Sequence, residues 1–122
     1  MGITYRVDAA QKIVFAEWTG IILAKDIAEY WARLVADEEA MACGRSITDV
    51  RNCEMKFKGE EMRVLANRIL EPAFRGKNWR TAVIVEKNFQ YGVARQQEMF
   101  SDTFMETRAF PTEAAANQWV LR

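Results

Sequence analysis

The run Ala82-Val83-Ile84-Val85, set between Arg80-Thr81 and Glu86, constrains the fold of this chain more than any other segment. A strand that is apolar on both of its faces must be covered on both, so the run is read as a central strand of a sheet with helices on either side. The opening of the chain supplies further strands. Ile3, Tyr5 and Val7 alternate with Thr4 and Arg6, the period of a half-buried strand, and Asp8 to Gln11 supply a polar turn. Lys12 to Thr19 reads as a second strand, with Val14, Ala16 and Trp18 on one face, Ile13, Phe15 and Glu17 on the other, and Gly20 as its exit. The two are expected to form a hairpin.

After Leu23 the apolar period changes from two to 3.6. Ile27, Tyr30, Trp31, Leu34 and Val35 form one helical stripe, with Asp26 in the first turn, where a carboxylate suits the helix dipole. Gly44 suits a helix end or turn. Arg45 to Val50 is a short third strand whose apolar signal is diluted by Ser46, Thr48 and Asp49. Gly59 to Leu70 is a second helix with Met62, Leu65, Ala66 and Ile69 inward, stopped by Pro72. A third helix is expected over Tyr91 to Thr103, a last strand over Met105 to Phe110, and a short final helix after Pro111. In that helix Thr112 is the N-cap and Ala115, Ala116, Trp119 and Val120 pack inward. The order is β-β-α-β-α-β-α-β-α. It implies one α/β domain over residues 1–122, with a mostly parallel sheet, an antiparallel edge strand and covering helices.

Composition narrows the chemistry. The chain has no histidine, which removes Ser-His-Asp and Cys-His nucleophile systems, His-ligated zinc or haem, and imidazole acid–base catalysis. Seventeen Lys+Arg balance seventeen Asp+Glu, which argues against a dedicated nucleic-acid binder or a polybasic membrane module. Cys43 and Cys53 match neither a C-x-x-C redox pair nor half of a four-ligand zinc site, and are read as reduced, partly buried thiols. No uncharged stretch approaches the ~20 residues of a spanning helix, and the start, Met1 to Arg6, lacks the pattern of a secretory signal. A cytoplasmic location follows as the expectation, with no metal and no cofactor.

Several strings resemble the STAS fold of anti-sigma factor antagonists, and more closely the SpoIIAA-like group. They are Val14-Phe15-Ala16-Glu17-Trp18-Thr19-Gly20, Thr48-Asp49-Val50-Arg51-Asn52, Trp79-Arg80-Thr81-Ala82-Val83-Ile84-Val85 and Arg108-Ala109-Phe110-Pro111-Thr112-Glu113-Ala114-Ala115. In phosphorylatable members of that family, the strand corresponding to the one with Asp49 leads to an Asp-Ser pair at the next helix, and a partner kinase phosphorylates the serine. The matching stretch here is Phe57-Lys58-Gly59, with no hydroxyl, so the phospho-switch does not carry over. What the resemblance implies is a regulatory or ligand-binding domain. Some STAS-like and CRAL-TRIO-like relatives bind apolar or nucleotide ligands.

The segment Asp49 to Gly59 is the leading candidate site, read as a loop at the carboxyl end of a parallel strand that leads into a helix N-terminus. On that reading Lys58 and Gly59, with Arg51 and Asn52 beside Asp49, meet an anionic head group, while Met55, Phe57 and Met62 cover an apolar tail. The competing reading is a solvated loop with Met55 and Phe57 closing the core. Residues 45–80 hold nine Lys+Arg against five Asp+Glu, which suggests a basic side. Within them Phe74 to Arg80 interleaves cations with aromatics, a pattern that single-stranded nucleic-acid sites also use; the simpler reading is a turn anchored by Trp79. The carboxylate clusters Asp37-Glu38-Glu39 and Glu60-Glu61 read as solvated helix ends, and Glu17, if buried, as a lone acid or base.

The function expected is a non-catalytic regulatory or binding domain acting on a partner protein or a small amphipathic ligand. No catalytic residue is assigned. The alternative is a carrier or sensor of a fatty-acid-like or anionic ligand held between helix and sheet, and an enzyme using Glu17 or Asp49 as base ranks third. A cavity near Met62, Leu65 and Ile69 would favour the carrier; a close-packed core with an exposed apolar patch would favour a protein partner. A homodimer through spare aromatics is a further expectation.

Overall fold

The computed structural model of the chain describes residues 2–86, Gly92 and residues 104–122. Five strands form one sheet in the order β1-β2-β3-β4-β5: β1 Gly2–Asp8, β2 Ile13–Leu23, β3 Arg45–Lys56, β4 Trp79–Ile84 and β5 Met105–Phe110. The hairpin forms as expected, with β1 antiparallel to β2 and Ile3 opposite Trp18. Its turn is held by the Asp8 carboxylate, which accepts the Gln11 N–H at 3.1 Å. All other pairings are parallel, so β1 is the antiparallel edge. The strand at Ala82 is interior and largely buried, one place off the sheet centre.

Both faces of the sheet are covered, unequally. Helix α1, Ala24–Ala36, buries Ile27, Tyr30, Trp31 and Leu34, the stripe read from the 3.6 period. The Asp26 carboxylate accepts the Leu23 N–H at 2.8 Å and so starts the helix. A single turn, α2 Glu38–Met41, follows, capped by the Asp37 side chain; Gly44, at φ +85°, then reverses the chain into β3. On the opposite face, among the described residues, lies α5, Glu113–Val120, started by Thr112 Oγ1, which accepts the Ala115 N–H at 3.2 Å. It buries Ala116, Trp119 and Val120 against Ile13, Ile47, Ala82 and Ile84.

Two expectations are corrected. The second helix does not stop before Pro72: α3 Gly59–Leu65 continues through a π-helical stretch, Ala66–Leu70, into α4 Glu71–Phe74. The Glu71 N–H bonds to the Ala66 carbonyl, five residues back, and this wider turn accommodates the proline ring. It also sets the buried line. Met62, Ala66, Leu70 and Phe74 recur every four residues, a spacing that drifts off one face of a regular α-helix, and Leu65 and Ile69 are left only half-buried.

The second correction concerns β2 and β3. Gly20 does not end β2; it takes φ +72° just after a register shift between Glu17 and Thr19, and the strand runs on to Leu23. That extension gives β3 a partner as far as Lys56, so most of the expected Asp49 to Gly59 loop is strand. The expected third helix, Tyr91 to Thr103, lies outside the described residues apart from Gly92.

Candidate functional site

Strand alternation sends Ser46, Thr48 and Val50 of β3 to the same side as Thr81 of β4, beneath α1 and α3–α4. Ser46, Thr48, Thr81 and Thr107 are the buried polar side chains among the described residues. Parallel register sets Ser46 beside Thr81, and Thr81 beside Thr107. The bonds form a chain: Trp79 Nε1 donates to Ser46 Oγ at 3.2 Å, Ser46 Oγ lies 3.0 Å from Thr81 Oγ1, and Thr81 Oγ1 donates to Met105 Sδ at 3.8 Å. Further along, burial above all, only partly offset by hydrogen bonding from Thr48, keeps the Tyr30 phenol protonated well past its ordinary range.

These groups border a partly open cavity of about 50 Å³. Its floor is Ser46, Thr48, Thr81, Val83 and Met105, and its roof is Tyr30, Trp31 and Leu34 from α1 with Met62, Leu70 and Phe74 from the π-containing helix. Trp18, Trp79 and Met55 close the sides. No Asp, Glu, Lys or Arg is among the described lining residues. The space equals the share of one or two water molecules at roughly 30 Å³ each. Three wall residues, Met55, Met62 and Met105, are flexible thioethers that adjust to an occupant. Trp18 Nε1 is buried with no hydrogen-bond partner, an arrangement that costs about 1–3 kcal/mol.

The residues expected to form one site divide between two faces. Met55 and Met62 reach the cavity wall, and Phe57 is half-buried against the same core. Asp49 and Arg51 lie on the α5 side, where Arg51 Nε and Nη2 donate to the Asp49 carboxylate at 3.0 and 2.8 Å. Asn52 is exposed on the strand. Lys58 and Gly59 do start a helix, but the Lys58 N–H is already taken by Glu61 Oε1 at 2.8 Å, and Glu60 adds a second carboxylate to the first turn. These acids occupy the positive end of the helix where an anionic head group was expected.

Other expectations find their place. Five of the nine cations between residues 45 and 80 pair with carboxylates: Arg51 with Asp49, Lys56 with Glu54, Arg63 with Glu60, Arg75 with Glu71 and Arg80 with Glu106. Phe74 and Trp79 are buried with ring centroids 4.7 Å apart, so neither offers a stacking face to a base. Glu17 is exposed rather than covered, beside Asp49 in register, in an open groove of about 320 Å³ with Arg6, Phe15 and Glu113. Partial burial pushes the Asp49 carboxyl up, but the Arg51 hydrogen bonds outweigh it and hold the group below the usual carboxylate range. Cys43 and Cys53 are buried thiols, not joined in a disulfide. Among the described residues no cluster of three potential ligands stands ready for a metal ion, and no helix is long and apolar enough to cross a membrane.

The hairpin edge, the parallel β2-β3-β4-β5 order and the helices on both faces define a SpoIIAA-like α/β fold. The chain is similar to a crystal structure of an uncharacterised DUF3478-family protein with a SpoIIAA-like fold from Shewanella loihica PV-4. The TM-score is 0.65 at 18% identity, over 97% of this chain and 93% of that one. No protein-family model matches the chain, and no curated protein matches it.

Proposed function

We propose that this domain is a non-catalytic binding protein that carries or senses a small, mainly apolar ligand in the cavity between its sheet and helices. One observation carries the proposal. The cavity lies between the sheet and its helices, and it combines aromatic and methionine walls with a row of hydroxyls. An engineered apolar cavity of about 150 Å³ in another protein takes benzene, and the space here is about 50 Å³, so the methionines must shift to admit even one ring. That favours a compact ligand over a long acyl chain. Native mass spectrometry of the protein purified gently from its own host, compared with the denatured mass, tests this. A discrete mass lost on denaturation is expected; a bare 14.1 kDa chain that also ignores added small hydrophobes would overturn it.

A second reading has its own observation. Beyond Thr19 and Asn52 the described sheet narrows to a β2–β3 ribbon on which Ile21 is 57% exposed and Leu23 39%. An apolar patch of this kind suits a protein partner, a second copy of the chain included. Sedimentation equilibrium at micromolar concentration separates the cases: a mass twice that of the chain, lost in Ile21→Ser, would support the homodimer, and a mass of 14.1 kDa would exclude it.

A further inference from the structure

Between α1 and α3 the surface opens into a groove of about 350 Å³ that shares no described lining residue with the cavity beneath the helices. Its apolar walls are Ala24 and Ala28 of α1 and Val64 and Leu65 of α3. Ala24 and Ala28 fall one turn apart on one side of α1 and carry nothing beyond Cβ, which leaves the space open. Val64 is off the line of Met62, Ala66, Leu70 and Phe74 that α3–α4 turns inward, and stands 42% exposed. The charges bordering the groove are divided between its two sides. Lys25 comes from α1, Glu60 and Glu61 come from α3, and all three are exposed. Both carboxylates are held in place, Glu60 by the Arg63 guanidinium and Glu61 by the Lys58 N–H, each at 2.8 Å. Two carboxylates against Arg63 leave the α3 side acidic. The groove starts at the residue after Leu23, where the exposed β2–β3 ribbon ends.

An apolar strip with opposite charges along its two sides is its own complement. A two-fold axis laid along the groove sets Lys25 of each copy against Glu60 and Glu61 of the other, and closes the apolar walls of the two copies on each other. An axis laid across the groove would instead oppose like charges. We propose that this groove is the contact between two copies of the chain, an isologous homodimer with its axis along the groove. The proposal rests on the self-association raised in the second reading above, and it gives that association a surface and a register.

Sedimentation equilibrium of the full chain at micromolar concentration tests it with two charge variants. Lys25→Glu makes both sides of the groove acidic. Glu60→Lys combined with Glu61→Gln makes both basic, and the glutamine keeps an oxygen for the Lys58 N–H. Each variant alone is expected to weaken self-association about tenfold or more, because like charges then face each other. An equimolar mixture of the two should recover the dimer mass, because every facing pair is again opposite. Val64→Ser, at the exposed apolar wall, should also weaken the dimer, and it decides the groove contact should a charge variant fail to fold. A dimer unmoved by all three variants would overturn the groove contact and leave self-association through Ile21 standing. Loss in both charge variants without recovery on mixing would overturn the two-fold pairing. A mass of 14.1 kDa for the unmodified chain would overturn both the groove contact and the homodimer itself.

Discussion

On the sheet face beneath α1 and α3–α4, the buried Ser46, Thr81 and Trp79 hydrogen-bond one another. On the α5 face, Asp49 and Arg51 pair at the rim of an open groove with their side chains 21% and 35% exposed, and Arg6 lies 4.3 Å over the Phe15 ring. The same strands supply both sets by simple alternation. Cover makes the difference, since α5 spans eight residues and leaves the β1–β2 half of its face to solvent. A polar group loses little at an open rim because water replaces a missing partner, whereas in the covered layer each must be matched within the protein.

Substitutions should reproduce that contrast. Phe74→Ala, which empties a fully buried ring from the cavity roof, is expected to cost about 3–5 kcal/mol in denaturant melts. Next comes Ser46→Ala, which strands the Trp79 N–H and the Thr81 hydroxyl, at about 1–3 kcal/mol; a loss below a few tenths would mean that these groups find other partners. Across the sheet, Arg51→Ala should cost no more than about 1 kcal/mol, because its ion pair is only half-buried and water screens it. A larger loss there would break the contrast.

Titration sharpens it further. The Asp49 carboxyl is depressed in the folded state, so its contribution is present above the unfolded value of about 3.9 and is lost as pH falls through the lower folded value. Acid melts should therefore show a step that Arg51→Ala removes. Tyr5 behaves oppositely. Burial, with its 2.7 Å hydrogen bond to Asp37, pushes its phenol up to about 12, so its contribution is present below pH 10 and is lost as pH rises through about 12. Tyr5→Phe should abolish that alkaline step. The smallest effect belongs to Glu17→Gln, within about 0.5 kcal/mol, as fits an exposed side chain.

Much of the fold was legible because periodicity is local. The alternation of Ile3 to Val7, the stripe of Ile27, Tyr30, Trp31 and Leu34, and the Thr112 cap each depend on neighbours a few residues away. The candidate site was legible only where its members are apolar, as with Met55 and Met62. Ser46 and Thr48 looked like dilution of a strand signal; they are the polar floor of the cavity. Their alternate spacing ahead of Val50 was the clue, and it acquires meaning only when Thr81, thirty-five residues on, arrives beside Ser46.

The sequence by itself determined the five strands and their order, the helices ahead of β3 and β4 and after β5, the antiparallel hairpin and the exclusion of imidazole chemistry, since these follow from spacing and composition. Tertiary structure decided how far β2 and β3 run, how the helix passes Pro72, which polar residues are buried, and that the Trp18 N–H lacks a partner. Each of those depends on what a distant segment places alongside. Strand length is set by the partner strand, and burial by the helix that covers it, and neither is written in the few residues around the position itself.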